Sequence, residues 1–482
     1  MQTHKFIWKL FEVKYSTVKT WELEWEKRLD SDFYDYEFLN LEIRLNKKKY
    51  EYLGDLSEKI FRNPMMYGFE YSNNWIPFII IDDLNNPYIE LSNCKFISED
   101  INDRFKSTQL KKYDLVMWVR GTIWRFGLYL WDNFKANISP NNIFFRLKDK
   151  SIYVCAYLIS NYWQLFINRI TAGTGQPTIT SDLIKNIKIP IPSTDFQQKI
   201  EELVVKSYEE KEKSESLYKE VEKILLQELN LLDFQPSTKE FNLFHQLFTI
   251  ENNSSIIKYS DLTDKDRLDA EYWDNRYLEI ENRIKEYDWW YDTITNLSIL
   301  SKDKIQLQDD YSYNYIELAD INKSTWLVEN TTEIIWKELP SRARMKIEKW
   351  DVLMSSLEGS IDKVAIVDFE KDNLVASTGF YIFREWFLNK ETLLILLKFL
   401  WGRYIVREAL GTIMSAISNS WLENILLPKV DKGIQDTIAL KIQESFIAKE
   451  QSKKLLEVAK RGVEVYIEET EEKGLEYIES NI

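Results

Sequence analysis

The chain has little of what most active sites are built from. Its 482 residues include two histidines, His4 and His245, and two cysteines, Cys94 and Cys155. One histidine stands near the N-terminus and the other in Phe244-His245-Gln246, so a Ser/His/Asp or Cys/His arrangement has almost nothing to draw on. Two cysteines give neither a disulfide framework nor a zinc-ligand spacing, and no metal site is expected. Thirteen glycines form no Gly-x-x-x-x-Gly-Lys-Ser/Thr loop and no Gly-x-Gly-x-x-Gly. The one Gly-x-Gly, Gly173-Thr174-Gly175, is too short to cradle a phosphate by itself. No apolar run approaches the ~20 residues of a membrane helix. Residues 1–9 are mixed polar and aromatic and lack the apolar stretch of a signal peptide. These absences predict a soluble, cytoplasmic chain with no catalytic site of its own.

Basic charge is also short. Sixty-three Lys and Arg stand against 78 Asp and Glu, a net charge of −15. Taken whole, that argues against an isolated nucleic-acid binder, whose footprint is basic. The balance is uneven, however: residues 464–482 hold seven Glu and one Lys, and an acidic total is compatible with a local basic cleft. Asn86-Pro87-Tyr88 lacks the second proline of the Asn-Pro-Pro-Tyr motif of amino-methyltransferases. No glycine-rich methyl-donor loop precedes it, so it reads as a turn after the strand-like Phe78-Ile79-Ile80-Ile81. The 17 Trp, 27 Tyr and 25 Phe fall mostly at periodic apolar positions and read as core.

What the chain does contain is an internal repeat. Arg28-Leu29-Asp30 recurs as Arg267-Leu268-Asp269, and Phe33-Tyr34-Asp35 as Tyr272-Trp273-Asp274. Tyr113-Asp114-Leu115-Val116-Met117 recurs as Trp350-Asp351-Val352-Leu353-Met354, Gly121-Thr122-Ile123 as Gly359-Ser360-Ile361, and Phe145-Arg146 as Phe383-Arg384. From there the offset holds without a gap: Gly173-Thr174 with Gly411-Thr412, Ile179 with Ile417, Asn186-Ile187 with Asn424-Ile425, Pro190 with Pro428. A loose match of Phe11 and Val13 to Phe248 and Ile250 gives each copy a strand-like lead-in. Within each copy, short β-branched runs such as 115–119 and 361–367 alternate with helical stretches such as 153–170 and 388–408. That pattern predicts an α+β globule of roughly 170 residues, followed by a long helix.

The helices carry a heptad. Thr194, with Gln197 three residues on, fits a capping box. Ile200, Val204, Ser207, Lys211, Ser214, Tyr218, Val221 and Leu225 then step by four and three. Ile438, Ile442, Ser445, Lys449, Ser452, Leu456, Ala459 and Val463 do the same in the second copy. Both apolar seams are interrupted by the same Ser-Lys-Ser at the same places. Polar residues at such positions fix register and orientation at some cost in stability. The expectation is an antiparallel coiled coil, with Ile200, Val204, Tyr218, Val221 and Leu225 of one helix facing Ile438, Ile442, Leu456, Ala459 and Val463 of the other. The first helix is placed at 194–229, 36 residues, or ~54 Å. The domain plan is 1–193 for the first globule, 194–232 for the first helix, 233–430 for a lead-in strand and the second globule, 431–475 for the second helix and 476–482 for an acidic tail. A pseudo-two-fold relation between the copies is expected.

In this order and in duplicate, the motifs resemble those of the specificity subunit of type I restriction–modification systems. The residues that carry the resemblance are Gly173-Thr174-Gly175-Gln176-Pro177, Ile187-Lys188-Ile189-Pro190-Ile191-Pro192 and Gln197-Gln198-Lys199-Ile200. Arg267-Leu268-Asp269-Ala270-Glu271-Tyr272 and the stretch 351–367 with Gly359-Ser360-Ile361 add to them. The resemblance covers nearly the whole chain. It implies a non-catalytic subunit of two tandem target-recognition domains, each reading one half of a bipartite double-stranded DNA sequence. The helices would set the spacing and dock two modification subunits, which hold S-adenosylmethionine and methylate adenine; restriction subunits join to cleave unmodified DNA. No cofactor is expected in this chain. Gly411-Thr412-Ile413-Met414-Ser415 lacks the Gln-Pro of the first copy, and Trp118 and Trp124 make the Gly121 segment unusual for the family.

On that reading DNA contacts belong to the globules. Arg forks onto guanine and Asn or Gln onto adenine. The candidates are Arg120, Arg125, Lys135, Asn142, Arg146 and Gln176 in the first copy, and Arg342, Arg344, Lys346 and Lys363 in the second. Thr174, Gly175 and Thr412 join them if the Gly-Thr segments let the backbone approach the duplex; a helix C-cap is the other use of such a glycine. Arg146 and Arg384 recur in both copies, which suits a shared structural role better than specificity. Two other readings remain at this point: a self-contained DNA methyltransferase or nuclease with duplicated recognition domains, and a coiled-coil adaptor that does not bind DNA.

Overall fold

The computed structural model describes residues 36–62, 68–72, 76–91, 94–121, 125–132, 134–171, 178–231, 272–288, 290–309, 311–322, 326–328, 330–357, 360, 363–401, 404–409 and 416–482. The fold is α+β. Two compact units divide the chain: residues 1–212 with 448–482, and residues 213–447. The two boundaries fall inside the two long helices, so neither helix stands as a domain of its own. The lead-in segments and the repeated Arg-Leu-Asp lie outside the described residues. Among the described residues no helix is long and apolar enough to cross a membrane.

Unit 1 is built on a six-stranded sheet of β1 (Ser57–Arg62), β2 (Leu84–Asn85), β3 (Tyr88–Ile89), β4 (Leu115–Trp118), β5 (Phe126–Leu128) and β6 (Asn142–Leu147). Their order across the sheet is β1-β6-β4-β5-β3-β2. The apolar residues of β4 and β6 alternate between two cores, as the period of a strand requires. Leu115, Met117, Ile143 and Phe145 pack with the helix Ser151–Leu158 and the long helices. Val116 and Phe144 pack with Ile79, Ile138 and Leu84 on the other face, where a three-stranded sheet lies. Both faces are covered, so the central strands read as continuous apolar runs. Gly127 is required in β5, because a Cβ there would meet Ile89 Cγ1 at 2.6 Å. Asn86-Pro87 forms the turn between β2 and β3.

The stretch predicted as one helix over 153–170 is two, Ser151–Leu158 and Asn161–Thr171. Ser160 breaks it: its Oγ accepts from Trp163 N at 3.4 Å, while Glu464 Oε1 accepts from Asn161 N at 2.8 Å. These are N-terminal capping contacts.

Unit 2 repeats the plan with β7 (Ser298–Ser301), β8 (Ile321–Asn322), β9 (Leu327–Val328), β10 (Val352–Ser355), β11 (Val364–Ile366) and β12 (Phe380–Glu385). The order is β7-β12-β10-β11-β9-β8, strand for strand that of unit 1. Its second sheet has four strands. The stretch predicted helical over 388–408 is a helix Lys390–Trp401 and a 3-10 turn Ile405–Ala409.

The long helices are α1 (Thr194–Glu228) and α2 (Lys432–Glu468). They run antiparallel within each unit. In unit 1, Ile200, Val204, Ala459 and Val463 share one core, and Ser207 meets Ser452. In unit 2, Tyr218, Val221, Leu225, Ile438 and Ile442 share another, and Ser214 Oγ lies 2.8 Å from Ser445 Oγ. Three details differ from the heptad. Leu455, at 1% exposure, takes the buried place assigned to Leu456, which is only partly buried. Ala448 is buried where Lys449 was placed. Lys211 leaves the seam for an ion pair with Glu90 at 3.4 Å. A straight helix of 3.6 residues per turn drifts against a 3.5 repeat, and a lysine reaches an acid more cheaply than it enters a seam.

The start of α1 also differs. Thr194 is the first helical residue, and Ser193 Oγ accepts from Phe196 N at 3.2 Å. Gln197 bonds the Pro192 carbonyl at 2.9 Å instead of closing a capping box. The second long helix ends at Glu468, and residues 471–481 form a separate helix α3 (Glu471–Asn481). The segment expected as an acidic tail is therefore part of a packed helix: Ile478 is fully buried, and Gly474 lies against the Phe196 ring, where a Cβ would come within 2.7 Å. Its charges face outward because one stripe, Gly474 and Ile478, is needed inside.

Candidate nucleic-acid interface

The two ends of the unit 1 sheet are chemically different. At one end Asp114, just before β4, takes Arg146 from the end of β6 in a bidentate contact, Nε to Oδ1 at 2.7 Å and Nη2 to Oδ2 at 2.6 Å. Burial pushes the Asp114 carboxyl up against the pull of Arg146. Lys112 is paired with Asp132 at 2.6 Å, and Lys135 with Glu99. The cations flanking this region are thus already neutralised. Unit 2 has the same device: Arg384 bonds Asp351 and Asp303, each at 2.9 Å.

The opposite end carries cations with no carboxylate partner among the described residues. The register places Arg62 of β1 beside Ile143 of β6, Asn142 beside Trp118 of β4, and Trp118 N donates to the Arg125 carbonyl at 2.9 Å. Arg62 and Arg125 thus stand at the same end of the sheet, three strand spacings or ~14 Å apart, on opposite faces: Arg62 on the face of Ile143 and Arg125 on the face of Trp118. Arg120 follows β4 at the same end and bridges to Thr178. Its side chain is exposed. Arg62 Nε donates to the Pro140 carbonyl at 3.0 Å, and Arg125 Nη1 to the Ile81 carbonyl at 3.2 Å. Three guanidiniums along one sheet edge, in a chain of net charge −15, give a local site of the sign that polyanions require.

At the matching end of unit 2, Ser355 N donates to the Lys363 carbonyl at 2.9 Å and Thr378 N to the Arg342 carbonyl at 2.8 Å. Lys363 Nζ reaches the Ile321 carbonyl at 2.7 Å. Arg342 is exposed, 3.8 Å from Glu317. Arg344 is exposed and donates from Nε to the Ser341 carbonyl at 3.0 Å.

The sequence-derived candidates thus separate. Arg120 and Arg125 come together at the edge of unit 1, and Arg342, Arg344 and Lys363 lie around the corresponding edge of unit 2. Arg146 and Asn142 do not fit a nucleic-acid contact, whereas Lys135 and Lys346 are in exposed ion pairs with Glu99 and Glu348, which water screens. Arg146 is held by the buried Asp114. Asn142 is 0% exposed, with its amide on the Ile79 carbonyl at 2.7 Å. Burying a polar side chain is tolerated only with such bonds, and they hold it away from a base. Thr174, Gly175, Gln176 and Thr412 lie outside the described residues.

Sequence reasoning missed Arg62. Its signal was the charge that closes the strand-like run Lys59-Ile60-Phe61-Arg62, which had no match in the second copy. It also missed an ion pair of a buried arginine found in both units: Arg169 with Glu42 at 2.8 Å, and Arg407 with Glu281. Burial raises the Glu42 carboxyl, but Arg169 and then Lys188 bring it below its ordinary value. Among the described residues no group of three or more His, Cys, Asp or Glu could hold a metal.

Each copy of the duplicated α+β module thus presents a cationic sheet edge and packs on one stretch of an antiparallel helix pair. Residues 46–223 match the Type I restriction modification DNA specificity domain. The Type I restriction enzyme EcoBI specificity subunit of Escherichia coli is 23% identical over 181 residues, which is 34% of this chain and 38% of that relative. The chain therefore aligns with well under half of that relative's length. Among solved structures, the S subunit of a type I restriction–modification system from M. genitalium is similar at TM-score 0.42 and 13% identity, over 90% of this chain and 96% of that one. The HsdS subunit from Thermoanaerobacter tengcongensis is similar at TM-score 0.29 and 15% identity, over 88% and 97%.

Proposed function

We propose that this chain is the DNA sequence-specificity subunit of a type I restriction–modification complex. Each unit reads one half of a bipartite duplex site with its cationic sheet edge, and the long helices set the spacing and dock two modification subunits. Those partners bring S-adenosylmethionine and the methyl transfer, and restriction subunits bring cleavage. This chain carries out neither reaction, and it works in the cytoplasm, where the DNA is.

The observation that carries the reading is the group of arginines without carboxylate partners among the described residues at one end of a sheet whose other end is neutralised. Phosphate contacts supply affinity, and side chains at base edges supply sequence. With net charge −15, the chain alone binds duplex weakly, and basic partners supply the remaining neutralisation.

The test is a gel-shift series with the full chain, alone and with its modification subunits, on duplexes bearing the methylated sites mapped in cells that carry the system. Specific binding only in the assembled form supports the reading. Strong labelling of the isolated chain by S-adenosylmethionine would favour a self-contained methyltransferase. Absence of specific binding by the assembly would favour a non-DNA adaptor.

A further inference from the structure

The three arginines on the unit 1 edge differ as donors. A guanidinium has one N–H on Nε and two on each Nη. Guanine offers O6 and N7 side by side in the major groove, and an arginine reads them with two adjacent N–H groups.

Arg62 meets that requirement. Its Nε is fixed on the Pro140 carbonyl at 3.0 Å, so the plane of the group is oriented. Both Nη atoms remain without a partner among the described residues, as an end-on fork. Arg125 is anchored through Nη1 on the Ile81 carbonyl, so its end-on pair is shared with the protein and the Nε–Nη2 side is the fork it leaves whole. Arg120 is exposed, with no side-chain anchor among the described residues. A cation of that kind suits phosphates, which carry no sequence.

Arg62 also sits on a rigid element. It ends β1, in register with Ile143, which is fully buried. Side chains held on strands keep a geometry that a loop does not. The corresponding strand of unit 2, β7, ends at Ser301 and offers no such fork. At the corresponding end of unit 2, Arg344 is anchored through Nε on the carbonyl three residues before it.

We infer that Arg62 is a specificity-determining residue of unit 1, which reads a guanine in the major groove through its two Nη groups while the Pro140 carbonyl sets its orientation. The inference rests on the DNA-recognition reading above and deepens it: the half-site of unit 1 contains a guanine at a position that depends on Arg62.

The test pairs a protein change with a base change in the full chain assembled with its modification subunits. Each guanine of the mapped site is replaced in turn by 7-deazaguanine, which removes N7 alone. One such replacement in one half-site is expected to weaken wild-type binding roughly tenfold. Arg62→Ala is expected to weaken binding to the natural site by a similar factor and to be indifferent to that replacement, while keeping wild-type sensitivity in the other half-site. Arg62→Lys keeps the charge without the fork, so it should recover affinity in low salt and not recover the guanine preference. Melting of each variant shows whether the fold is intact.

A uniform loss over all sequences, with wild-type sensitivity to every deaza substitution, would assign Arg62 to a phosphate and overturn the inference. Unchanged binding by Arg62→Ala would overturn it too. If the wild-type assembly shows no sequence preference, it is the DNA-recognition reading that fails.

Discussion

Ser207 and Ser452 face each other across the helix pair of unit 1, each hydroxyl reaching the other's backbone carbonyl, at 2.9 and 2.7 Å. In unit 2, Ser445 Oγ donates to the Ser214 carbonyl at 3.0 Å and lies 2.8 Å from Ser214 Oγ. All four are buried. The pairing satisfies the hydroxyls only in one register, since sliding either helix by a turn would set a hydroxyl against an apolar neighbour. Ser207→Ala with Ser452→Ala should cost about 2 kcal/mol, one buried hydrogen bond each. Leucine at both positions should cost more, because close-packed helices cannot admit the added volume. Denaturant melting of the full chain measures both, and a more stable double-leucine variant would contradict the register role.

Arg407 is 1% exposed, paired with Glu281 and Glu408, and lies over the rings of Tyr272 and Tyr404 at 4.9 and 4.5 Å. Removing one partner of a buried ion pair costs about 3–5 kcal/mol. Arg407→Met should therefore lower the melting midpoint markedly. Arg407→Met with Glu281→Gln should lower it less, since the Glu281 carboxylate, which Arg407→Met leaves to Lys285 alone at 2.7 Å, no longer keeps a half-compensated charge at that position. Equal losses in the two variants would show that the pair is not coupled.

Asp83 carries a pH dependence of known sign. Burial pushes its carboxyl up to about 6, against the bond from Ile80 N. Between roughly pH 4 and pH 6 the folded chain keeps a proton that the unfolded chain has lost, so stability from this group falls as pH rises through that window. Asp83→Asn should flatten that part of the stability–pH curve while keeping an oxygen for Ile80 N. An unchanged slope would remove Asp83 as its source.

Arg342 and Arg344 are the exposed cations of the unit 2 edge. Alanine at both should weaken binding by the assembled complex and alter the preference in one half-site only. Each lost base contact is worth about 1–3 kcal/mol, and each lost phosphate contact lowers the salt slope by about one. Unchanged affinity and preference would remove both from the interface.

The repeat and the two long helices were legible in the sequence because both are periodic: one offset of 238 joins Phe145 to Phe383 and Pro190 to Pro428, and burial of one helix face enforces the other. The serines were legible because they interrupt the same seam twice. Leu455 in place of Leu456 was not, since that choice depends on helix drift accumulated over several turns. Arg146 and Arg62 look alike in sequence. Only the register sets one against Asp114 and the other against a carbonyl, and a partner 32 or 78 residues away leaves no local trace. Ser193 took the cap from Thr194 because Glu471, 278 residues on, bonds both its N and its Oγ.

The composition of unit 1 has a consequence for synthesis. Unit 2 is one uninterrupted stretch, 213–447, whereas unit 1 needs residues 448–482 to cover Phe196, Ile200 and Val204. A ribosome releases every residue of unit 2 before the last strip of unit 1 exists. The first unit to be translated is therefore the last to finish folding, and until then its half of the first long helix waits with an apolar stripe in water.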